Sequence, residues 1–273
     1  MKATCAILLT SLGALISGSS LSAAPITYDS WYTADALPTA SGGTIQDPSF
    51  QYSSIGTVSA TAADGLLSAS TMPGAANQQF WRVGSYTTGG NTTNYGTQNA
   101  WSMDNATGGT VDLTLQVTGS TTATPATGPQ GGFTIFVGNN SHYAVLFFNT
   151  TGISFSGAAT AANTTHVNTM LQTYRIVFQD GKLSLYEAGN NTALFANLAM
   201  TATLGLNYMY WGDGASAVSG SYNLGFIGWD NTANFSAPPV NPVPEPSTIL
   251  LGLLGGMGMI VWRRKGRHSS TVL

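Results

Sequence analysis

The sequence predicts an all-β body, an antiparallel sandwich or barrel. Three observations predict it. Short runs alternate apolar and polar side chains with a period of two, as where Val111, Leu113, Leu115 and Val117 interleave with Asp112, Thr114, Gln116 and Thr118. Turn signals rich in Gly, Asn and Asp separate these runs, and no amphipathic helical pattern interrupts them. There is no fixed-period repeat, which argues against a propeller or a β-helix.

The elements follow in chain order. Lys2 precedes an apolar stretch from Ala6 to Ile16, and Ser22-Ala23-Ala24 offers small residues for cleavage. Residues 1–24 therefore read as a helical Sec-type signal peptide, cut by signal peptidase between Ser22 and Ala24. From Ile26 to Asn105 the pattern is loose. Aromatic-bearing segments at Asp29–Thr33, Ser49–Tyr52 and Gln79–Tyr86 predict strands, with turns at Met72-Pro73-Gly74 and Gly89-Gly90-Asn91. The strand around Val111 comes next. Ser120–Gln130 is a loop, and Gly132–Val137 and Tyr143–Phe148 are strands joined through Gly138-Asn139-Asn140-Ser141. Ile153–Phe155 is a short strand, and Ala158–Asn168 is a loop or irregular stretch. The sharpest local signal is Tyr174–Gln179, Asp180-Gly181, then Lys182–Tyr186. Asp-Gly between alternating runs marks a two-residue hairpin, because a type I′ turn needs positive φ at both corners. Tyr208–Trp211 and Tyr222–Trp229 complete the set. One domain over residues 25–236 is long enough to bury a substantial core.

The chain then changes character. Residues 237–247 form a Pro-rich linker containing Val243, Pro244, Glu245 and Pro246. Prolines on both sides of Glu245 hold that strip extended. Residues 248–262 are an apolar run of about 15 residues, a transmembrane helix shorter than the ~20 that span a bilayer comfortably. Arg263, Arg264, Lys265 and Arg267 make residues 263–273 a basic tail that stays in the cytoplasm, leaving the body outside. In this order and at this spacing the three parts resemble the PEP-CTERM sorting signal. The resemblance implies that exosortase, a membrane-embedded cysteine transpeptidase, reads Pro244, Glu245 and Pro246 as its recognition strip and cuts nearby. It also implies an exopolysaccharide-producing Gram-negative host. The protein would cross the inner membrane as a transient single-pass species and end at the cell surface or in the extracellular matrix.

The stretch Phe133–Trp229 in turn resembles a laminin-G-like, concanavalin A-like lectin/glucanase jelly roll. The likeness rests on the order of its strands, on Tyr174–Phe178 followed by Asp180–Tyr186, and on the apolar Ala193-Leu194-Phe195 that comes after. It implies a β-sandwich in which a late aromatic strand, Phe226–Trp229, returns to the N-terminal half.

Composition narrows the function. Charged residues are 7% of the chain. Of eight basic residues, Lys2 and four in the tail lie outside the body, leaving Arg82, Arg175 and Lys182; of eleven acids only Glu245 does, so the body is near −7. No cluster of Lys and Arg exists there to bind nucleic acid. Cys5, the only cysteine, leaves with the signal peptide, so the mature body has neither disulfide nor Cys-based metal site.

Glucanases of the resembled fold carry Glu-x-Asp-x-(x)-Glu on one strand, whereas this body has one glutamate, Glu187. Asp112, Asp180 and Asp213 are widely separated in sequence, against the two carboxyls about 5 Å apart that a retaining glycosidase needs. His142 and His166 read as solvated loop residues, with no Gly-x-Ser-x-Gly elbow to serve a triad. No catalytic residue and no cofactor is assigned. Calcium is the one metal with candidates, Asp213 with Asn231 or Asp104 with Asn105, on oxygen chemistry alone. Candidate sugar-binding residues are Trp101, Tyr210, Trp211, Trp229 and Asp230, aromatic faces beside short polar groups; the alternative is that these aromatics fill the core. The expectation is an exported, non-catalytic surface protein of the exopolysaccharide or biofilm matrix that binds glycan. A glycoside hydrolase and a purely structural surface protein are the alternatives.

Overall fold

A computed structural model describes residues 27–72, 77–121, 131–157, 161–190, 192–213 and 218–232. The predicted signal helix, linker, transmembrane helix and basic tail lie outside these residues. In chain order the strands are β1 (Ser30–Tyr32), β2 (Gln51–Ile55), β3 (Ser59–Ala63), β4 (Leu66–Ser70), β5 (Gln78–Thr88) and β6 (Asn91–Tyr95). Next come β7 (Gly109–Ser120), β8 (Phe133–Gly138), β9 (His142–Phe148), β10 (Gly152–Ser156), β11 (Ala161–Thr165) and β12 (Gln172–Gln179). The last are β13 (Lys182–Glu187), β14 (Phe195–Ala199), β15 (Thr201–Ala202), β16 (Leu206–Asp213) and β17 (Gly220–Asp230). Single 3₁₀ turns occur at Pro38–Ala40 and Gln98–Ala100. Among the described residues no helix is long and apolar enough to cross a membrane.

The strands form two antiparallel sheets packed as a sandwich. An eight-stranded sheet runs β14-β13-β12-β7-β17-β4-β3, with β1 also on β17. A nine-stranded sheet runs β11-β10-β9-β8-β16-β5-β2, with β15 on β9 and β6 on β5. Each has two open edges, which decides for the sandwich over the barrel. The late strand β17 pairs with β1 and β4, the predicted return to the N-terminal half.

Turn chemistry sets the hairpins. Asp180 (φ 50°) and Gly181 (φ 68°) make the expected two-residue turn between β12 and β13. Asp64 (φ 54°) and Gly65 (φ 72°) do the same between β3 and β4. The Ala- and Ser-rich flanks of that second turn hide it from a search for apolar alternation. β11 corrects the loop expected at Ala158–Asn168: its backbone pairs with β10 although its residues alternate no apolar groups.

Alternate side chains of each strand meet between the sheets. Val111, Leu113, Leu115 and Val117 on β7 are wholly buried, as are Ile176 and Phe178 on β12 and Met209 and Trp211 on β16. Phe133 of one sheet meets Tyr222 of the other at 5.0 Å between ring centroids, and Phe148 meets Tyr174 at 5.1 Å. Both sheets and their shared core lie within residues 27–232.

Asp112 points away from that core yet is 0% exposed. Arg175, directly opposite on β12, donates to it through Nε at 2.8 Å and through its terminal nitrogen at 2.6 Å. Tyr28 O–H donates to the same carboxylate at 2.6 Å, which ties the start of the body onto the sheet.

Candidate functional site

The sequence-based sugar candidates divide when placed on strands. Trp101, Trp211 and Trp229 fill the core at 1%, 0% and 0% exposure. This corrects their reading as sugar platforms, since a ring enclosed by protein offers no face to a ligand. Trp211 stacks on Trp81 at 4.7 Å, and Phe50 packs edge-on against both Trp211 and Trp229. Trp101 Nε1 donates to the Gly138 carbonyl at 2.7 Å, and Trp229 Nε1 donates to the Ala100 carbonyl at 2.6 Å. Asp230 is also buried; its Oδ1 accepts from Thr232 N and Oγ1, closing the turn after β17. Only Tyr210 lies half-buried on an outer face.

Tyr210 leads to the site. On β16 the inward residues Met209, Trp211 and Asp213 leave Tyr208 and Tyr210 outward. On β5 the inward Gln79, Trp81 and Val83 leave Gln78, Phe80, Arg82 and Tyr86 outward. β16 pairs with β5 so that Tyr210 stands opposite Arg82 and Tyr208 opposite Gly84. Gly84 has φ +108°, and a Cβ there would come within 2.8 Å of Tyr208 Cα. Its bareness lets Tyr95, opposite on β6, reach Tyr208 at 5.3 Å across the gap. On the other side β8 supplies Phe136, which stacks with Tyr208 (4.7 Å), Tyr210 (5.1 Å) and Tyr143 (5.4 Å). Phe80 packs beside Tyr210 at 5.6 Å. The result is a groove of about 410 Å³ lined by Gln78, Phe80, Arg82, Tyr86, Tyr95, Leu206, Tyr208 and Tyr210.

Electrostatics keep the tyrosines neutral. Tyr208 and Tyr210 are each pushed up to about 12, in both cases first by burial. The phenols of Tyr210, Tyr95 and Tyr86 add to the effect on Tyr208, and Arg82 opposes it at both rings. A folded value above the ordinary 10.0 means that folding favours the neutral phenol. That stability is complete below pH 10 and lost as pH climbs from 10 towards 12. Denaturant midpoints should fall across that interval, and a Tyr208→Phe, Tyr210→Phe double variant should show a shallower fall.

The other chemical candidates do not converge. Asp112 is held by Arg175 on the outer face of the eight-stranded sheet, Asp180 sits in a hairpin turn, and Asp213 lies between the sheets, accepting from Thr71 Oγ1. Asp213 is beside the start of β17 and Asn231 follows its end, on the order of 30 Å away, so that calcium pairing is corrected. Asp104 Oδ1 accepts from the Ala106 and Thr107 amides, and Asn105 Oδ1 from Gly181 N and Asn139 Nδ2, so both serve turns. Among the described residues no three His, Cys, Asp or Glu side chains group as a metal site.

Neither histidine is solvated as expected, although His166 does lie in a loop, half-buried after β11. His142 is half-buried on β9, close under the Gly181 turn. His166 lies 3.1 Å from Tyr174 Oη, 3.2 Å from Gln172 Oε1 and 3.9 Å from the Glu187 carboxylate. A second, polar groove of about 220 Å³ on the eight-stranded sheet is lined by Val177, Gln179, Asp180, Lys182, Ser184, Tyr186 and Asn197.

Comparison with known families decides how the protein travels. The family model described as the PEP-CTERM protein-sorting motif matches residues 242–265. These residues are a PEP-CTERM sorting signal. The match takes in Val243, Pro244, Glu245 and Pro246 together with Arg263, Arg264 and Lys265. A PEP-CTERM signal marks an exported surface protein that passes through the membrane as a substrate of exosortase. No curated protein matches the chain.

Among solved structures, a conserved carbohydrate esterase from Shiga toxin-encoding bacteriophage phi24B is 11% identical, with TM-score 0.43 over 76% of this chain and 99% of its own. A GlcNAcα1-4Gal-releasing endo-β-galactosidase from Clostridium perfringens is 10% identical, with TM-score 0.44 over 78% of this chain and 65% of its own. The VIP36 exoplasmic/lumenal domain, bound to Ca²⁺ and Man3GlcNAc, is 9% identical, with TM-score 0.38 over 80% of this chain and 94% of its own. Such distant likenesses assign no activity to this chain; the sandwich rests on its own strand pairing.

Proposed function

We propose that the exported body is a non-catalytic, glycan-binding surface protein, held at the cell surface or in the exopolysaccharide matrix after its PEP-CTERM tail is processed. The observation that carries this reading is the tyrosine-lined groove on the nine-stranded sheet. Tyr208, Tyr210 and Phe80 are only half-buried there, their rings gathered along one groove on the outer face of the sheet. Each tyrosine joins a flat apolar ring to a hydroxyl, which suits a sugar whose ring has apolar faces and polar edges. The separation of Asp112, Asp180 and Asp213 supports binding without hydrolysis, because hydrolysis needs two carboxyls flanking one bond.

A glycan array probed with purified residues 25–242 tests the reading. Signal on at least one bacterial polysaccharide is expected. Tyr210→Ala should weaken it by up to about tenfold, the loss of one stacked ring, in a variant that thermal unfolding shows to be folded though less stable. Flat signal across the array would count against glycan binding altogether.

A further inference from the structure

We infer that the tyrosine groove takes an acidic polysaccharide, specifically a uronate-bearing one, with the sugar carboxylate on Arg82 and the sugar ring against Tyr208 and Tyr210. The inference rests on the glycan-binding reading above and narrows it to a chemical class.

The argument begins with where the body's three basic residues sit. Arg175 is buried against Asp112. Lys182 is on β13, in the other sheet. Among the described residues Arg82 is therefore the groove's only cation, and no Asp or Glu lines that groove. A body with ten acids and three bases has many partners to offer a structural arginine. Arg82 takes none of them: among the described residues the ion pairs are Arg175 with Asp112 and His166 with Glu187. Its guanidinium lies instead over aromatic faces, 4.4 Å from the Phe80 centroid and 5.1 Å from the Tyr95 centroid. Stacking holds the guanidinium plane by attraction to the ring quadrupoles and uses none of its five N–H donors.

A fixed planar fork with unspent donors matches a carboxylate, which it can bind through two parallel hydrogen bonds. Tyr210 stands directly across from Arg82, and Tyr208 is two residues further along the same strand. A carboxylate on Arg82 thus places its own sugar ring beside the tyrosines. The body's net charge near −7 opposes any polyanion at long range. At physiological salt that field is screened within about 8 Å, while a contact ion pair inside a half-buried groove survives.

The test uses purified residues 25–242 and three uronate polymers (alginate, polygalacturonate and hyaluronan), each paired with its carboxyl-reduced neutral counterpart, plus dextran sulfate. Binding is measured by affinity electrophoresis and calorimetry. At least one uronate polymer should bind tenfold or more tightly than its neutral counterpart. Arg82→Gln should abolish that difference, and Arg82→Lys should restore only part of it, because an ammonium lacks the fork. Thermal unfolding confirms that both variants fold.

Equal affinity for charged and neutral polymers overturns this inference while the glycan reading stands. A charge preference that persists in Arg82→Gln, or a preference for dextran sulfate over every uronate polymer, also overturns it. Binding to none of the polymers overturns this inference, and together with a flat array it overturns the reading beneath it; a dimer in sedimentation velocity that Arg82→Gln dissociates overturns both.

Discussion

Replacing Arg175 with methionine is expected to lower the unfolding free energy by about 3–5 kcal/mol, the usual cost of stranding one partner of a buried ion pair. Asp112 is wholly buried, and Arg175 gives it two hydrogen bonds on one side while Tyr28 gives one on the other. Without the guanidinium, the carboxylate stays in a low-dielectric site with one phenol donor. The pair itself need not stabilise the fold, because desolvating two charges cancels much of their attraction. The combination Asp112→Leu, Arg175→Met, Tyr28→Phe should therefore recover most of what the single change loses. Denaturant unfolding with an unchanged slope measures both. A loss below about 1 kcal/mol for Arg175→Met would place the pair in solvent-screened surroundings, contrary to its burial.

The second large effect belongs to the core. Trp229→Ala should cost about 3–5 kcal/mol, because it opens a void between Phe50 and Trp101 and removes the indole N–H bond to Ala100. Against a typical total of 5–15 kcal/mol this is a large fraction, yet the variant that remains folded should bind glycan as the native body does. The measurement pairs a denaturation curve with binding to the strongest array ligand at low temperature. If affinity falls with little loss of stability, Trp229 contacts ligand and its assignment to the core is wrong.

These contrasts show what the sequence made legible. The β7 strand and the β12–β13 hairpin were readable because apolar and polar residues alternate cleanly and Asp180-Gly181 marks the turn. The β3–β4 hairpin has the same Asp-Gly turn, but its flanks, Ser59–Ala63 and Leu66–Ser70, carry small residues on both faces. β11 was hidden for the same reason.

The site was half legible. Tyr210 and Trp211 are neighbours on one strand, so they point to opposite faces and only one of them can reach a ligand. The same holds for Trp229 and Asp230. Which one faces outward was undecided, because Tyr208-Met209-Tyr210-Trp211 is apolar or aromatic at every position and gives no contrast. Shared parity of Tyr208 with Tyr210, and of Phe80 with Arg82 and Tyr86, was a usable signal for the groove. Its assembly still needed β16 to lie between β5 and β8, a long-range pairing that no local pattern encodes. The sorting signal was the most legible feature because its meaning lies in contiguous residues and needs no tertiary contact.

The reading of the tyrosine face stands or falls on ring resonances. Uniformly labelled protein is titrated with the strongest array ligand and followed by NMR. The signals of Tyr208 and Tyr210 should shift and saturate together, while the indole N–H signals of Trp101, Trp211 and Trp229 hold still. Unmoved Tyr208 and Tyr210, with saturating shifts at Lys182 and Tyr186 on the opposite sheet, would contradict it.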